Sequence, residues 1–228
     1  MDASRIKANL DALHERVTVA CVRSGRREED VRLVAVTKSV EPEVVQMLAS
    51  LGVTDIGENR VQEARRKQEA LDGCLGLRWH MIGHVQTNKA GQVVERFDSV
   101  HGIDSVRVAE ALDRRAAAAE RTLPILIQCN TSGEESKFGI SPDDLGPLLG
   151  GILPLEHVRL DGLMTMAPFL VEPEETRTCF AALRELADVA RRATGLPMPE
   201  LSMGMTNDYH VAVEEGATLI RVGTALFA

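Results

Sequence analysis

Two spacings of apolar residues alternate along this chain. Short runs such as Leu33-Val34-Ala35-Val36, Ile125-Leu126-Ile127 and Leu219-Ile220 are apolar on consecutive positions. That pattern suits strands buried on both faces, as in a parallel sheet covered by helices. Eight such strands are predicted, over 33–38, 53–57, 79–83, 99–103, 125–130, 160–164, 200–203 and 219–223.

Between the strands the apolar spacing changes to three and four, the helical repeat. Pro42 sits where a first-turn proline is tolerated, ahead of Val44, Val45 and Leu48. Val61, Ala64 and Leu71 share one face of a segment otherwise rich in Arg, Lys, Glu and Gln. Ser105 predicts an N-cap for a helix over 106–119, and Ser141-Pro142-Asp143-Asp144 reads as cap, proline and acidic first turn. Phe180, Leu183, Leu186, Ala187 and Ala190 line one face before Gly195 and Pro197 stop that helix. Asn207 or Asp208 caps the last helix, which runs through Glu215. An extra helix precedes the first strand, with Ile6, Leu10, Leu13 and Val17 at helical spacing. It is expected to pack across the end or side of the sheet.

Eight alternating β and α units predict an α/β protein built as a single (β/α)8 barrel over 1–228. A doubly wound open sheet would favour a GxGxxG turn after the first strand, and Thr37-Lys38-Ser39-Val40 is no such turn. The polar loop 130–139 follows the fifth strand on the rim that also carries Lys38, and is a candidate mobile flap.

Composition narrows the partners. A net charge of −8 argues against nucleic acid, which needs a basic surface. No apolar run approaches the roughly 18 residues of a membrane span. The start, Met1-Asp2-Ala3-Ser4-Arg5, does not resemble a signal peptide, so a cytoplasmic protein without a membrane partner is expected. Cys21, Cys74, Cys129 and Cys179 are widely spaced, with no CxxC pair, and are expected as reduced thiols; Cys129 and Cys179 fall at packing positions. The six histidines show no metal-ligand spacing, and no metal site is predicted.

In a barrel the active rim is made by the C-terminal ends of the strands. Lys38, Asn59, His84, Met166, Thr206 and Thr224 fall there or just beyond. Lys38 is either a rim lysine reaching solvent or an imine-forming amine. Burial in an apolar barrel mouth, on a floor of Val34 and Val36, would favour the second. Gly204-Met205-Thr206-Asn207 and Gly223-Thr224 follow the last two strands, the usual phosphate position of this fold, with Ser202 adding a hydroxyl. Arg221, in an apolar strand, needs a partner: a carboxylate such as Glu58 or Glu200, or a heteroaromatic nitrogen. An amine, an arginine and a phosphate cradle on one rim are what pyridoxal 5'-phosphate (PLP) requires.

The motifs Ala35-Val36-Thr37-Lys38, Gly57-Glu58-Asn59-xx-Gln62-Glu63, Trp79-His80-Met81-Ile82-Gly83-xx-Gln86-x-Asn88-Lys89, Gly162-Leu163-Met164, Leu201-Ser202-Met203-Gly204-Met205 and Arg221-Val222-Gly223-Thr224-Ala225-Leu226-Phe227 occur in order over nearly the whole chain. Together they resemble the YggS/PROSC family of PLP homeostasis proteins. The resemblance implies a barrel similar to the N-terminal domain of alanine racemase, and PLP held as a Schiff base on Lys38. It implies phosphate contacts around Ser202, Gly204, Met205, Thr206, Gly223 and Thr224, with Arg221 facing the pyridine nitrogen. Asn59 would neighbour the cofactor or cap the following helix. His80 and Met81 would line the site or pack in the core. Thr206 stands where a serine commonly follows Met-Gly-Met, and His84 where many members carry another residue.

The implied role is to bind and buffer PLP and pass it to PLP-dependent apoenzymes, with no established catalytic residues. The alternative is a PLP-dependent amino-acid racemase or decarboxylase. Racemisation needs two placed acid/base groups, and the single tyrosine, Tyr209, is expected on the first-turn surface of a helix. A PLP-free aldolase using Lys38 ranks last, because it leaves Arg221 needing a different partner.

Overall fold

Eight parallel strands close into a barrel in chain order: β1 (Arg32–Val36), β2 (Asp55–Glu58), β3 (Arg78–Met81), β4 (Ser99–Ile103), β5 (Leu123–Gln128), β6 (Val158–Met164), β7 (Glu200–Ser202) and β8 (Leu219–Val222). The structure is a computed structural model that describes residues 2–71, 76–134, 138–168 and 171–228. Closure is made by β8 on β1, with Arg32 opposite Leu219 and Val34 opposite Arg221. Each strand leads into a helix: α2 (Pro42–Ser50), α3 (Val61–Ala70), α4 (Ala90–Arg96), α5 (Val106–Ala118), α6 (Leu145–Ile152), α7 (Arg177–Thr194), α8 (Tyr209–Glu214) and α9 (Thr224–Phe227).

The predicted extra helix is α1 (Ala3–Ser24). Its N-terminus is capped by Asp2, whose Oδ1 accepts from the Ser4 amide at 3.2 Å. Gly25 ends it at φ 66°, the left-handed conformation that costs glycine little. Its predicted face of Ile6, Leu10, Leu13 and Val17 is buried. The helix packs on the barrel's flank, against α8 and α9. Asn9 Nδ2 donates to the carbonyls of Leu226 and Ala228, and Arg26 Nη1 donates to the carbonyl of Val213 at 2.7 Å. The two ends of the chain are thereby tied together.

Several predicted helix signals act differently from their reading. Ser105 occupies the N-cap position of α5 but makes no side-chain cap bond. Ser141-Pro142-Asp143-Asp144 builds a separate 3-10 turn ahead of α6, with Ser141 Oγ donating to Asp144 Oδ2 at 2.7 Å. β1 stops at Val36, two residues before Lys38: the Thr37 amide makes a last bond to the Gly57 carbonyl of β2 at 3.1 Å, but the Thr37 carbonyl turns away and accepts from the Val40 amide at 3.1 Å.

Strand parity divides the interior in two. One set of strand residues, with the helices, forms the apolar layer around the barrel: Ala35, Ile56, Trp79, Met81, Val100, Leu163, Ile220 and Val222 among them. The opposite parity points inside. There, Val34, Leu126, Met164 and Leu219 share the barrel with the buried polar residues Asp55, His80, His101, Ser202 and Arg221. β6 and β7 approach so closely that a Cβ on Gly162 would lie 1.8 Å from the Glu200 carbonyl oxygen, so only glycine fits.

Among the described residues, no helix is long and apolar enough to cross a membrane. Cys21, Cys129 and Cys179 are buried; burial pushes the Cys129 thiol up to about 12, as suits a packing residue. Cys74 and residues 135–137 of the proposed flap lie outside the described residues.

Candidate functional site

A cavity of about 480 Å³ opens at the C-terminal ends of the strands, within the usual size for a small-molecule site. The rim residues Lys38, Asn59, His84, Met166, Thr206 and Thr224 all line it. So do Val36, Met205, Arg221 and Gly223.

Lys38 is the second residue of a turn that opens at the well-fixed Thr37. Thr37 is fully buried, and its Oγ1 donates to Glu58 Oε1 at 2.7 Å. From α3, Lys67 Nζ donates to the Thr37 carbonyl and to Glu58 Oε1, each at 2.5 Å. The Lys67 and Glu58 side chains have no exposed surface. The Lys38 side chain is exposed, contrary to the expectation of a buried amine, because the chain has already left the ladder. Among the described residues it has no hydrogen-bond or ion-pair partner. It therefore borders the cavity as an unengaged amine on a clamped backbone.

Arg221 is held the other way. Its side chain is buried within the barrel mouth, with Nη1 donating to Ser202 Oγ at 2.6 Å and Nη2 to the Thr165 carbonyl at 2.8 Å. Burial brings its pKa down to about 10, leaving it a cation at neutral pH. The carboxylate pairing considered from sequence does not occur. Glu58 holds Lys67, and Glu200 holds Arg32 and Thr218. Nearer to Arg221 is Asp208, which also lines the cavity. Burial pushes the Asp208 carboxyl up, opposed by the Met205 amide it accepts from at 2.6 Å and by the charge of Arg221.

The loops after β7 and β8 complete this wall. Thr206 Oγ1 accepts from the Ala225 amide at 3.3 Å, which joins the two loops. Gly204 stands behind the wall at φ 90°, where a Cβ would lie 2.6 Å from that of Ala212. It shapes the turn that presents Met205 and Thr206. On the opposite side His84 stacks on Phe138, ring centroids 5.5 Å apart, and its Nδ1 lies 3.1 Å from Asp104 Oδ2.

Besides Gly204, three sequence-predicted residues stand off the cavity wall. Met81 has outward parity and packs in the apolar layer, bordering instead a second cavity of about 310 Å³ with Gln62, Gln86 and Lys89. His80 and Ser202 lie inside the barrel beneath the cavity. His80 is 2.8 Å from Asp55 Oδ1 and 3.0 Å from His101 Nε2, and Ser202 Oγ lies 2.9 Å from His101 Nδ1. Ser202 thus meets Arg221 rather than the open space. Tyr209 is neither on the rim nor on a surface: it is buried, with Arg16 of α1 nearby, and burial raises its pKa.

Gln128, Phe138 and Asp208 line the cavity without having been singled out for it. Gln128 ends β5 with inward parity, a signal available in the sequence; its Nε2 donates to the Phe138 carbonyl at 3.1 Å. Asp208 was legible only as a helix cap. Among the described residues, no group of three or more His, Cys, Asp or Glu side chains is arranged to hold a metal ion.

Known proteins share this fold. The family model for the alanine racemase N-terminal domain matches residues 2–228. The pyridoxal phosphate homeostasis protein of Aquifex aeolicus is 42% identical over 218 residues, covering 96% of this chain and 95% of that protein. PipY of Synechococcus elongatus, solved with PLP bound, superposes with a TM-score of 0.83 at 39% identity, covering 94% of this chain and 99% of that one. Alanine racemase of Clostridium difficile shares the fold at 14% identity, with a TM-score of 0.75 over 98% of this chain and 59% of its own. With a whole-length family match and relatives at this identity, the chain belongs to the YggS/PROSC family of pyridoxal phosphate homeostasis proteins.

Proposed function

We propose that this protein binds PLP in the rim cavity and serves as a PLP carrier rather than as a turnover enzyme. The observation that carries this reading is the pairing of an exposed, unengaged Lys38 with a buried, tethered Arg221 across one cavity. The residues present fit the group. Lys38 would hold the group through its amine, the residue type able to condense reversibly with an aldehyde. Met205, Thr206, Gly223 and Thr224 would hold the phosphate, and Asn59 would border the ring. Arg221 would donate to the pyridine nitrogen. When bound, PLP would supply an electron sink, which an arginine at that nitrogen weakens relative to an aspartate.

The same wall weighs against a racemase or decarboxylase. Tyr209 is buried and lies outside the cavity lining, so it is not placed as the second acid/base group. A reversible covalent hold at an open rim suits transfer to PLP-dependent apoenzymes, the recipients this reading implies.

The test is titration of the ligand-free protein with PLP, followed by incubation with single amino-acid enantiomers. One PLP bound per chain, a yellow product and no sustained racemisation or decarboxylation are expected. Failure to bind PLP, or steady turnover abolished by Lys38→Ala, overturns the reading.

A further inference from the structure

The barrel interior holds a continuous polar line that the rim cavity does not use directly. One strand contributes each member: Asp55 from β2, His80 from β3, His101 from β4, Ser202 from β7 and Arg221 from β8. The separations are 2.8 Å from Asp55 Oδ1 to His80 Nε2 and 3.0 Å from His80 Nδ1 to His101 Nε2. They continue at 2.9 Å from His101 Nδ1 to Ser202 Oγ and 2.6 Å from Ser202 Oγ to Arg221 Nη1. The two imidazole rings meet edge to face, with an interplanar angle of 80°. His101 and Ser202 are fully buried, and the other three members are nearly so.

The donors and acceptors can be assigned by counting hydrogens. Burial pushes the Asp55 carboxyl up, but hydrogen bonds from His80 and Arg78 outweigh it and hold the pKa at about 2. Asp55 is therefore an ionised acceptor, and His80 Nε2 must donate to it. Arg78 Nη2 already pairs with the other Asp55 oxygen at 2.6 Å. At the other end Arg221 can only donate, so among its contacts the Ser202 hydrogen has only His101 Nδ1 as acceptor, and His101 carries its hydrogen on Nε2. So His80 Nδ1 is bare and accepts from His101 Nε2–H. Burial, with the charges of Arg221 and Arg32 nearby, keeps His101 neutral. Its Nδ1 is then bare and accepts the Ser202 hydroxyl hydrogen. The Ser202 oxygen is left with lone pairs only, and these face Arg221.

We infer that His101 and His80 are positioning residues for Arg221: a one-way chain of hydrogen bonds, Arg221 to Ser202 to His101 to His80 to Asp55, commits the Ser202 hydrogen inward and makes that hydroxyl a pure acceptor for the guanidinium. The chain links the rim cavity to Arg78, half-exposed at the barrel's opposite end. Together with the Thr165 carbonyl, the Ser202 oxygen fixes the guanidinium at two nitrogens. Ser202 cannot then donate to a ligand phosphate. Its place in the Leu201-Ser202-Met203-Gly204-Met205 motif is explained by Arg221 instead. The inference concerns the chain's own hydrogens and holds whether or not the ligand is PLP.

The experiment is imidazole and guanidinium ¹⁵N NMR on the ligand-free, full-length protein at neutral pH, comparing wild type with Ser202→Ala. Expected are His80 and His101 both hydrogenated at Nε2 and bare at Nδ1, with Arg221 Nη1 and Nη2 resolved as separate, slowly rotating groups. In Ser202→Ala the His101 Nδ1 resonance should shift toward the value of an unbonded lone pair, and the Arg221 Nη signals should broaden toward one average. A His101 hydrogenated at Nδ1 in the wild type would overturn the assigned direction. Unchanged Arg221 signals in a folded Ser202→Ala protein would overturn the positioning role. Failure of the protein to bind PLP would defeat the function proposed above and leave both readouts intact.

Discussion

Lys38, just beyond the end of β1, and Arg221, on the neighbouring β8, border one cavity and are built into the molecule in opposite ways. Arg221 is anchored through its side chain: both Nη atoms donate within the barrel, and the guanidinium has little freedom. Lys38 is anchored through its backbone: the neighbouring Thr37 is gripped by Lys67 and Glu58, while the Lys38 amine projects without a partner among the described residues. The difference separates two tasks. A group that recognises a ligand gains from losing its rotamer freedom before binding. A group that must form a bond gains from an unengaged nitrogen held at a fixed root.

The largest effect on stability should come from the clamp beneath Lys38. Lys67→Met leaves Glu58 buried and unpaired, and should cost about 3–5 kcal/mol in denaturant unfolding. Adding Glu58→Leu to that variant should recover much of the loss, since neither buried charge then remains. A Lys67→Met protein as stable as wild type would remove the clamp from the comparison. Arg221→Ala comes next, at about 1–3 kcal/mol, because Ser202 and the Thr165 carbonyl lose their donor. It should also weaken PLP retention measured by equilibrium dialysis; unchanged retention would make Arg221 purely structural.

The inward end of the Arg221 chain adds a pH dependence. Asp55 is held at about 2, below the usual carboxylate range. The unfolded chain therefore takes up this proton before the folded one does. Stability is intact above pH of about 4 and falls as the pH drops toward about 2. Thermal unfolding of Asp55→Asn across that window should show a shallower decline than wild type. Tyr209→Phe removes only a hydroxyl from a buried residue outside the cavity lining, so a loss of about 1 kcal/mol or less and unaltered PLP retention are expected. Smallest of all on stability is Lys38→Ala, which should shift unfolding by no more than about 0.5 kcal/mol, as expected of an exposed side chain.

What the sequence discloses follows from how local each signal is. Lys38, Thr206, Gly223 and Thr224 are legible because a strand end, and the small or polar residues beyond it, are features of a few consecutive positions. The barrel is legible because apolar runs and helical spacings alternate eight times. The interior line is not: Asp55, His80, His101, Ser202 and Arg221 come from five strands, and only closure brings them within hydrogen-bond distance. His80 and Ser202 were for that reason read as neighbours of the ligand rather than as support for Arg221. Tyr209 was misread because it begins a helix, where exposure is ordinary; α1, folding back from the start of the chain, covers it. The Lys67–Glu58 pair was hidden within a helix that reads as a solvated, charged segment.

The most direct measurement is borohydride reduction of the PLP-loaded protein, followed by peptide mapping. The account predicts a single pyridoxyl group, on Lys38, with the buried Lys67 unmodified and no covalent label in Lys38→Ala. A wild-type protein that retains PLP but carries the label on another lysine, or on none, would contradict it.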